Sequence, residues 1–250
     1  MRRRILSSNK KAADYLTFTA QESGTFKFTK DGLSYSTNGY TWTALVANTP
    51  TPTIAAGDTI YFKGTMTPAQ ISGIGTFSST GNFTVSGNIM SLLYGNNLVG
   101  KTSLSGKGYA FSQLFKNCTK LKSIDDLSLP ATTLATGCYR YMFQDCTGLT
   151  SIPTGFLPAT TLANCPNCYD SMFYGCTGLT SIPSDLLPAT TLEIYCYSAM
   201  FFDCTGLTSI PSGLLPATIL AQGCYYYMFY HCSKITTAPD LRATPLKVDL

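Results

Sequence analysis

One histidine, one tryptophan and 13 acidic residues are all that 250 positions supply. A multi-histidine metal centre or a histidine-based acid–base machine cannot be assembled from so few groups. No stretch of about eighteen apolar residues occurs, which excludes a helical membrane span. Clustered positive charge is missing beyond residue 11: without Arg2, Arg3, Arg4, Lys10 and Lys11, the formal +4 becomes 12 basic against 13 acidic residues. A phosphate-tracking groove needs such clusters, so the folded body is read as binding no nucleic acid. Residues 1–13 carry the positive start of a secretory leader but run into Asp14 and a Thr-rich alternation instead of an apolar core. No leader is read there, and the segment is expected to be a basic disordered tail.

Cysteine is absent from residues 1–117, and all ten cysteines lie between 118 and 232. Ahead of that break, Leu16 and Phe18, then Phe26 and Phe28, alternate with polar residues at a period of two, the mark of strands with one buried face. Asn38-Gly39 signals a turn before Tyr40–Thr43, and Pro and Gly punctuate 49–58 before Thr59–Phe62. A small β-sandwich-like module is therefore expected over residues 14–63. Residues 64–107, interrupted by Gly73, Gly75, Gly81, Gly87, Gly95 and Gly100, read as a β-rich linker and N-terminal cap for the cysteine-bearing half of the chain.

From residue 108 the sequence repeats itself. The block from Cys138 to Pro153 returns at Cys168–Pro183, at Cys196–Pro211 and, with drift, at Cys224–Ala238. The closing cysteines fall at 118, 146, 176, 204 and 232, so the gaps are 28, 30, 28 and 28 residues. The longer gap is assigned to Asn164-Cys165-Pro166-Asn167. Between blocks runs Leu-Pro-Ala-Thr-Thr-Leu, as at Leu129–Leu134 and Leu157–Leu162. Periods of about 20 to 50 residues mark solenoids, in which each coil buries its apolar side on the next. The expected fold is a leucine-rich repeat solenoid of about five coils over 108–241, preceded by the small all-β module and followed by a C-terminal tail, 242–250. Short parallel strands are expected at Leu-Thr-Ser-Ile and short helical turns at Cys-Tyr-x-x-Met-Phe. Met142, Met172, Met200 and Met228, with Phe143, Phe173, Phe201 and Phe229, should then point inward.

The pattern Ala-Phe-x-x-Cys-x-x-Leu-x-x-Ile, carried by Ala110–Cys118, Met142–Ile152, Met172–Ile182, Met200–Ile210 and Met228–Ile235, resembles the bacterial surface-antigen type of leucine-rich repeat protein. Such proteins are also encoded by gut Bacteroidetes phages and prophages. The resemblance covers residues 108 to about 241. It implies a non-catalytic binding or structural role, either in a virion assembled in the bacterial cytoplasm, as a fibre or decoration protein, or as an adhesin on the bacterial cell surface. The implied partner is a protein or a bacterial surface glycan, and virion components of this kind are often homo-oligomers.

Nine cysteines, Cys118, Cys138, Cys146, Cys168, Cys176, Cys196, Cys204, Cys224 and Cys232, repeat in register and read as structural thiols in columns between coils. Disulfides are the competing reading, but Ala110 stands where later coils carry the opening cysteine. Metal is disfavoured, because only Cys165-Pro166-Asn167-Cys168 has knuckle spacing and no second pair completes a zinc site. Cys165 is the odd member and reads as the exposed thiol.

Catalytic residues are not apparent, so an enzyme is not expected and no cofactor or metal is implied. His231 beside Cys232 reads as a surface histidine, and Asp145, Asp170, Asp185 and Asp203 as scattered carboxylates without partners. The informative side chains are those that vary inside the constant frame. Tyr141, Tyr174, Phe202, Tyr226, Tyr227, Tyr230 and His231 are assigned to an outer aromatic wall, the kind of surface that contacts protein or glycan. Thr150, Ser151, Thr180, Ser181, Thr208 and Ser209 form a second, more monotonous candidate on the strand wall.

Overall fold

Threonine alternating with leucine and phenylalanine suits a pleated, half-buried surface, and the first strand forms where that alternation is cleanest. The computed structural model describes residues 14–67, 76–238 and 240, so the basic segment 1–13, residues 68–75 and the C-terminal tail lie outside the described residues. Strand β1 (Leu16–Ala20) buries Leu16, Phe18 and Ala20 and leaves Thr17 and Thr19 half-exposed. It is followed by β2 (Phe26–Phe28), β3 (Leu33–Ser36), β4 (Thr43–Leu45), β5 (Thr59–Gly64), β6 (Phe77–Ser79), β7 (Phe83–Asn88), a one-turn helix α1 (Ser91–Tyr94) and β8 (Leu121–Ser128). Six strands make one mixed sheet in the order β4-β3-β5-β1-β7-β8, and β2 pairs with β6 in a second. Every pairing is antiparallel except β7 with β8.

Phe18, opposite Ile60 on one side and Val85 on the other, anchors the core of this region. The rings of Phe26, Phe62, Phe77 and Phe83 lie 4.7–5.3 Å from it. The same aromatic core covers the first repeat. Phe77 N–H donates to the Leu114 carbonyl at 2.9 Å, its ring stacks on Phe115 at 5.8 Å, and the Cys118 thiol donates to the Phe77 carbonyl at 2.8 Å. Phe77 thus covers Leu114, Phe115 and Cys118 of the first repeat.

The expected leucine-rich repeat solenoid of parallel strands and helical turns, preceded by a small all-β module, is not what the chain forms. Regular structure is concentrated in the two sheets, whose strands come from residues 16–64, 77–88 and 121–128. Among the described residues α1 is the one α-helix, and past Ser128 there is neither strand nor helix. Beyond residue 100 the isolated parallel bridges, Ser103 to Thr133, Thr161 to Thr191 and Thr191 to Ile219, fall on or beside the Ala-Thr-Thr-Leu links, not on Leu-Thr-Ser-Ile.

Two features of the backbone shape the repeats instead. Within each Cys-Tyr-x-x-Met-Phe block every fourth residue takes a positive φ: Gly137, Tyr141 and Asp145, then Asn167, Ser171 and Gly175, then Tyr195, Ala199 and Asp203, at 48–69°. A right-handed helix cannot pass through left-handed residues, so the block becomes a chain of tight turns. The N–H groups of Ser198, Met200, Phe202 and Cys204 bond three residues back at 3.1–3.3 Å, while those of Tyr197, Ala199, Phe201 and Asp203 donate across to Cys224, Tyr226, Met228 and Tyr230 at 2.7–3.0 Å. Half of the amides therefore close turns and half tie one repeat to the next. At Thr-Gly-Leu the backbones of adjoining repeats touch: a Cβ on Gly178 would sit 2.6 Å from the Thr147 carbonyl oxygen and 2.7 Å from that of Leu149. Gly148 and Gly206 are in the same position, so only glycine fits where the repeats touch.

The side chains follow a two-in, two-out rhythm. Phe115, Phe143, Phe173, Phe201 and Phe229 stack at 5.4–5.7 Å with ring planes within 6°. Phe111, Tyr139, Tyr169, Tyr197 and Tyr225 form a parallel stack at 5.7–6.1 Å. Met142, Met172, Met200 and all ten cysteines are buried beside them.

Candidate functional site

The rhythm that buries methionine and phenylalanine turns the intervening pairs outward, and repeat stacking brings equivalent outward positions side by side. Tyr174 and Phe202, equivalent residues of consecutive repeats, stack at 4.7 Å with planes 6° apart. Phe202 then meets Tyr230 at 5.0 Å, His231 at 5.5 Å and Tyr227 at 6.3 Å. Tyr227 touches Tyr226 at 3.9 Å and Tyr230 at 5.1 Å, and Tyr230 touches His231 at 4.0 Å. Six of the seven residues assigned to the aromatic wall thus form one cluster. Tyr174 and Phe202 are half-buried, while Tyr226, Tyr227, Tyr230 and His231 are exposed. Tyr141 stands apart from the other rings, with the Arg140 guanidinium 4.6 Å and the Lys116 ammonium 5.5 Å from its ring centre.

A groove of about 550 Å³ runs along this surface, with Tyr141, Tyr174, Phe202, Tyr226 and Tyr227 in its walls. Its polar lining comes from residues outside the aromatic-wall assignment: Arg140, Asp170, Ser171 and Ser198, which occupy the variable positions between Tyr and Met of the blocks, with Asn167 and Tyr195. Arg140 Nε donates to Asp170 Oδ2 at 2.8 Å, Arg140 Nη2 donates to the Tyr141 hydroxyl at 2.9 Å, and the Ser171 hydroxyl donates to Asp170 Oδ1 at 2.8 Å. Asp170 is therefore a paired, buried carboxylate and not the partnerless one expected. The signal was in the register, since Arg140 and Asp170 both follow the Cys-Tyr of successive blocks. Partial burial works against the Arg140 charge, but Asp170 and Tyr141 overcome it and hold the guanidinium more firmly protonated than usual. Burial, together with the carboxylates of Asp203 and Asp145, raises the Tyr174 phenol above its ordinary value, so the ring enters the groove neutral. At the outer end, His231 Nδ1 lies 2.9 Å from Asp203 Oδ1.

The second candidate wall gathers less. Thr150, Thr180, Ser181, Thr208 and Ser209 are exposed, and Ser151 is half-buried with its hydroxyl donating to Asp125 at 3.0 Å. A hollow of about 390 Å³ elsewhere, between Asp125–Pro130 and Pro153–Pro158, is lined by the end of β8, by prolines and by Phe156, which is itself buried. Neither place combines exposed rings with a fixed ion pair.

Cys118, Cys138, Cys146, Cys168, Cys176, Cys196, Cys204, Cys224 and Cys232 are free, buried thiols. Burial pushes Cys118, Cys138 and Cys196 up to about 12, so they carry no thiolate at neutral pH. Cys165, expected at the surface, is 1 % exposed. The reason is register: the N–H groups of Cys138, Cys168, Cys196 and Cys224 bond to the carbonyls of Ala135, Cys165, Glu193 and Ala221. Cys165 therefore occupies an ordinary rung, and the two extra residues of the long repeat are Ala163 and Asn164, both exposed. Among the described residues no three His, Cys, Asp or Glu side chains converge as metal ligands, and no helix is long and apolar enough to cross a membrane. Comparison with protein-family models, with curated proteins and with solved structures finds no match to this chain.

Proposed function

We propose that this protein is a non-catalytic recognition component of a phage or prophage virion, of the fibre or decoration kind, whose aromatic groove binds a bacterial surface glycan. The observation that carries the reading is the contiguous ring cluster beside a fixed ion pair. Tyr174, Phe202, Tyr226 and Tyr227 line the groove with apolar ring surface against which the C–H faces of a sugar ring can pack. Arg140, Asp170, Asn167 and Ser198 supply donors and acceptors that can orient its hydroxyls. The groove volume, about 550 Å³, lies within the range of roughly 300–1,000 Å³ typical of sites for small ligands. A stable protein contact asks for about 800 Å² on each partner, which favours an oligosaccharide over a folded partner as the occupant. The virion setting is supported by the resemblance of the repeats to surface-antigen proteins of gut bacteria and their phages.

A screen of bacterial capsule and envelope glycans tests the groove. The wild-type chain should bind a subset, and the double variant Tyr226→Ser, Tyr227→Ser should lose that binding while its unfolding midpoint stays unchanged, because both rings are exposed. Undiminished binding by the double variant refutes the assignment. Mass spectrometry of purified particles tests the setting, and absence from them refutes it.

A further inference from the structure

The ten thiols are not equivalent. Cys118, Cys146, Cys176, Cys204 and Cys232 each donate S–H to a backbone carbonyl of an adjoining segment, that of Phe77, Phe115, Phe143, Phe173 and Phe201, at 2.8–3.1 Å. Each is aimed at backbone and not at another sulfur. Cys138, Cys168, Cys196 and Cys224 stand beside the tyrosine stack, whose rungs are 5.7–6.1 Å apart. Sulfurs repeating at that spacing are far outside the bond length of about 2.05 Å.

Cys165 breaks the pattern, because it puts a thiol on the rung where the sister repeats carry Ala135, Glu193 and Ala221. Its Sγ lies 3.4 Å from Cys168 Sγ and 2.8 Å from the Leu162 carbonyl oxygen. The connecting backbone has Pro166 at the second position, Asn167 at φ 57° in the third, and Cys168 N–H bonded to the Cys165 carbonyl at 3.3 Å. Those are the features of a type II turn, whose ends lie within about 7 Å of each other. Disulfides bridge Cα atoms about 4.4–6.8 Å apart, so closing this pair asks for a sulfur displacement of about 1.4 Å and no change of backbone class.

We infer that Cys165 and Cys168 form the one site in this chain that closes to a disulfide, by thiol–disulfide exchange with a low-molecular-weight disulfide. One thiol, as thiolate, attacks the small disulfide, forming a mixed disulfide and releasing one small thiol. The other then attacks the protein sulfur of that mixed bond, forming Cys165–Cys168 and releasing the second small thiol. Two protein thiols are oxidised, one small disulfide is reduced to two thiols, and the protons leave with them. Both sulfurs are buried, and burial together with the Cys165 contact holds the Cys168 thiol protonated, so exchange is slow at neutral pH and faster in mild alkali.

The folded full chain, incubated with oxidised glutathione at pH 8 and then alkylated under denaturing conditions, gives the test by peptide mass spectrometry. Expected is one internal disulfide on the peptide holding Cys165 and Cys168, with the other eight cysteines alkylated. The Cys165→Ala variant, which places the Ala135 and Ala221 side chain on that rung, should fold and keep nine alkylated cysteines with no internal bond. Unreacted wild-type protein, a stable glutathione adduct without ring closure, or an internal disulfide between any other pair overturns the inference.

Discussion

Removing an oxygen should stabilise this protein. The hydroxyls of Tyr139 and Tyr197 are buried without a hydrogen-bond partner, and both rings are 1 % exposed. The first rung of the same stack is Phe111, so the architecture already accepts a ring without a hydroxyl. A buried polar group left unpaired costs about 1–3 kcal/mol, and the small void left by its removal returns part of that. Tyr197→Phe is therefore expected to add about 1 kcal/mol, which for a chain of this size raises the unfolding midpoint by roughly 2–4 °C. Tyr139 and Tyr197 are two rungs apart, each rung being 5.7 Å, so Tyr139→Phe with Tyr197→Phe should add nearly independently, about 2 kcal/mol in all. Tyr225→Phe is the control, because its ring is only half-buried at the end of the stack and its hydroxyl is not a buried, unpartnered one. The assay is urea unfolding followed by circular dichroism for the repeats, with fluorescence of the sole tryptophan, Trp42, as a separate report on the sheet. A rise in midpoint at constant slope is the expected result. A loss of 1 kcal/mol or more in either phenylalanine variant would refute the reasoning, since it would mean that the hydroxyl is bonded after all.

Gly178→Ala places a Cβ within 2.7 Å of two backbone carbonyl oxygens that cannot retreat, so a loss of about 2–3 kcal/mol is expected by the same urea assay, and a neutral result would show that the repeats are not in close backbone contact there. Alkali should unfold the chain cooperatively. Cys118, Cys138 and Cys196 stay protonated in the fold up to about 12 but ionise near 9.0 once unfolded, so the unfolded state binds fewer protons above pH 9 and stability falls as pH rises. Each thiol contributes a loss of about 1.4 kcal/mol per pH unit, or roughly 4 kcal/mol for the three by pH 10, and midpoints that stay flat between pH 8.5 and 10 would contradict their burial. Amide exchange should differ between ends of the ladder: Tyr197 and Phe201 N–H, bonded to Cys224 and Met228, should exchange slowly, whereas Tyr225 and Phe229 N–H, with no acceptor among the described residues, should exchange quickly.

Much of the interior was legible because the repeat states it several times over. Met142, Phe143, Cys146 and Leu149 recur at fixed offsets, and all four positions are buried in the central copies. The strands at Leu16–Ala20 and Phe26–Phe28 fall where aromatic alternation puts them. Backbone handedness was not legible, because Gly, Asn and Asp hold many of the outer left-handed positions of each repeat while Tyr141, Ser171 and Ala199 hold the middle one. Composition alone would send those residues into a helix. Strand placement held at one copy alone: Leu121-Lys122-Ser123-Ile124 lies in the parallel strand β8, where β7 supplies a partner, while the later copies form no strand. Of the groove, the aromatic residues and most of the polar ones stand at variable outward positions of the repeat, while the pairing of the polar ones needed three dimensions. Arg140 and Asp170 are 30 residues apart and meet only because successive repeats stack in register.

The groove itself is open to one direct test. Two-dimensional NMR of the chain titrated with a bound glycan from the envelope screen reports each surface separately. The expected result is saturable shifts at Arg140, Tyr174, Phe202, Tyr226 and Tyr227, with Thr180, Thr208 and their neighbours unmoved. Shifts confined to the threonine wall, or to neither wall, would contradict recognition by the aromatic groove.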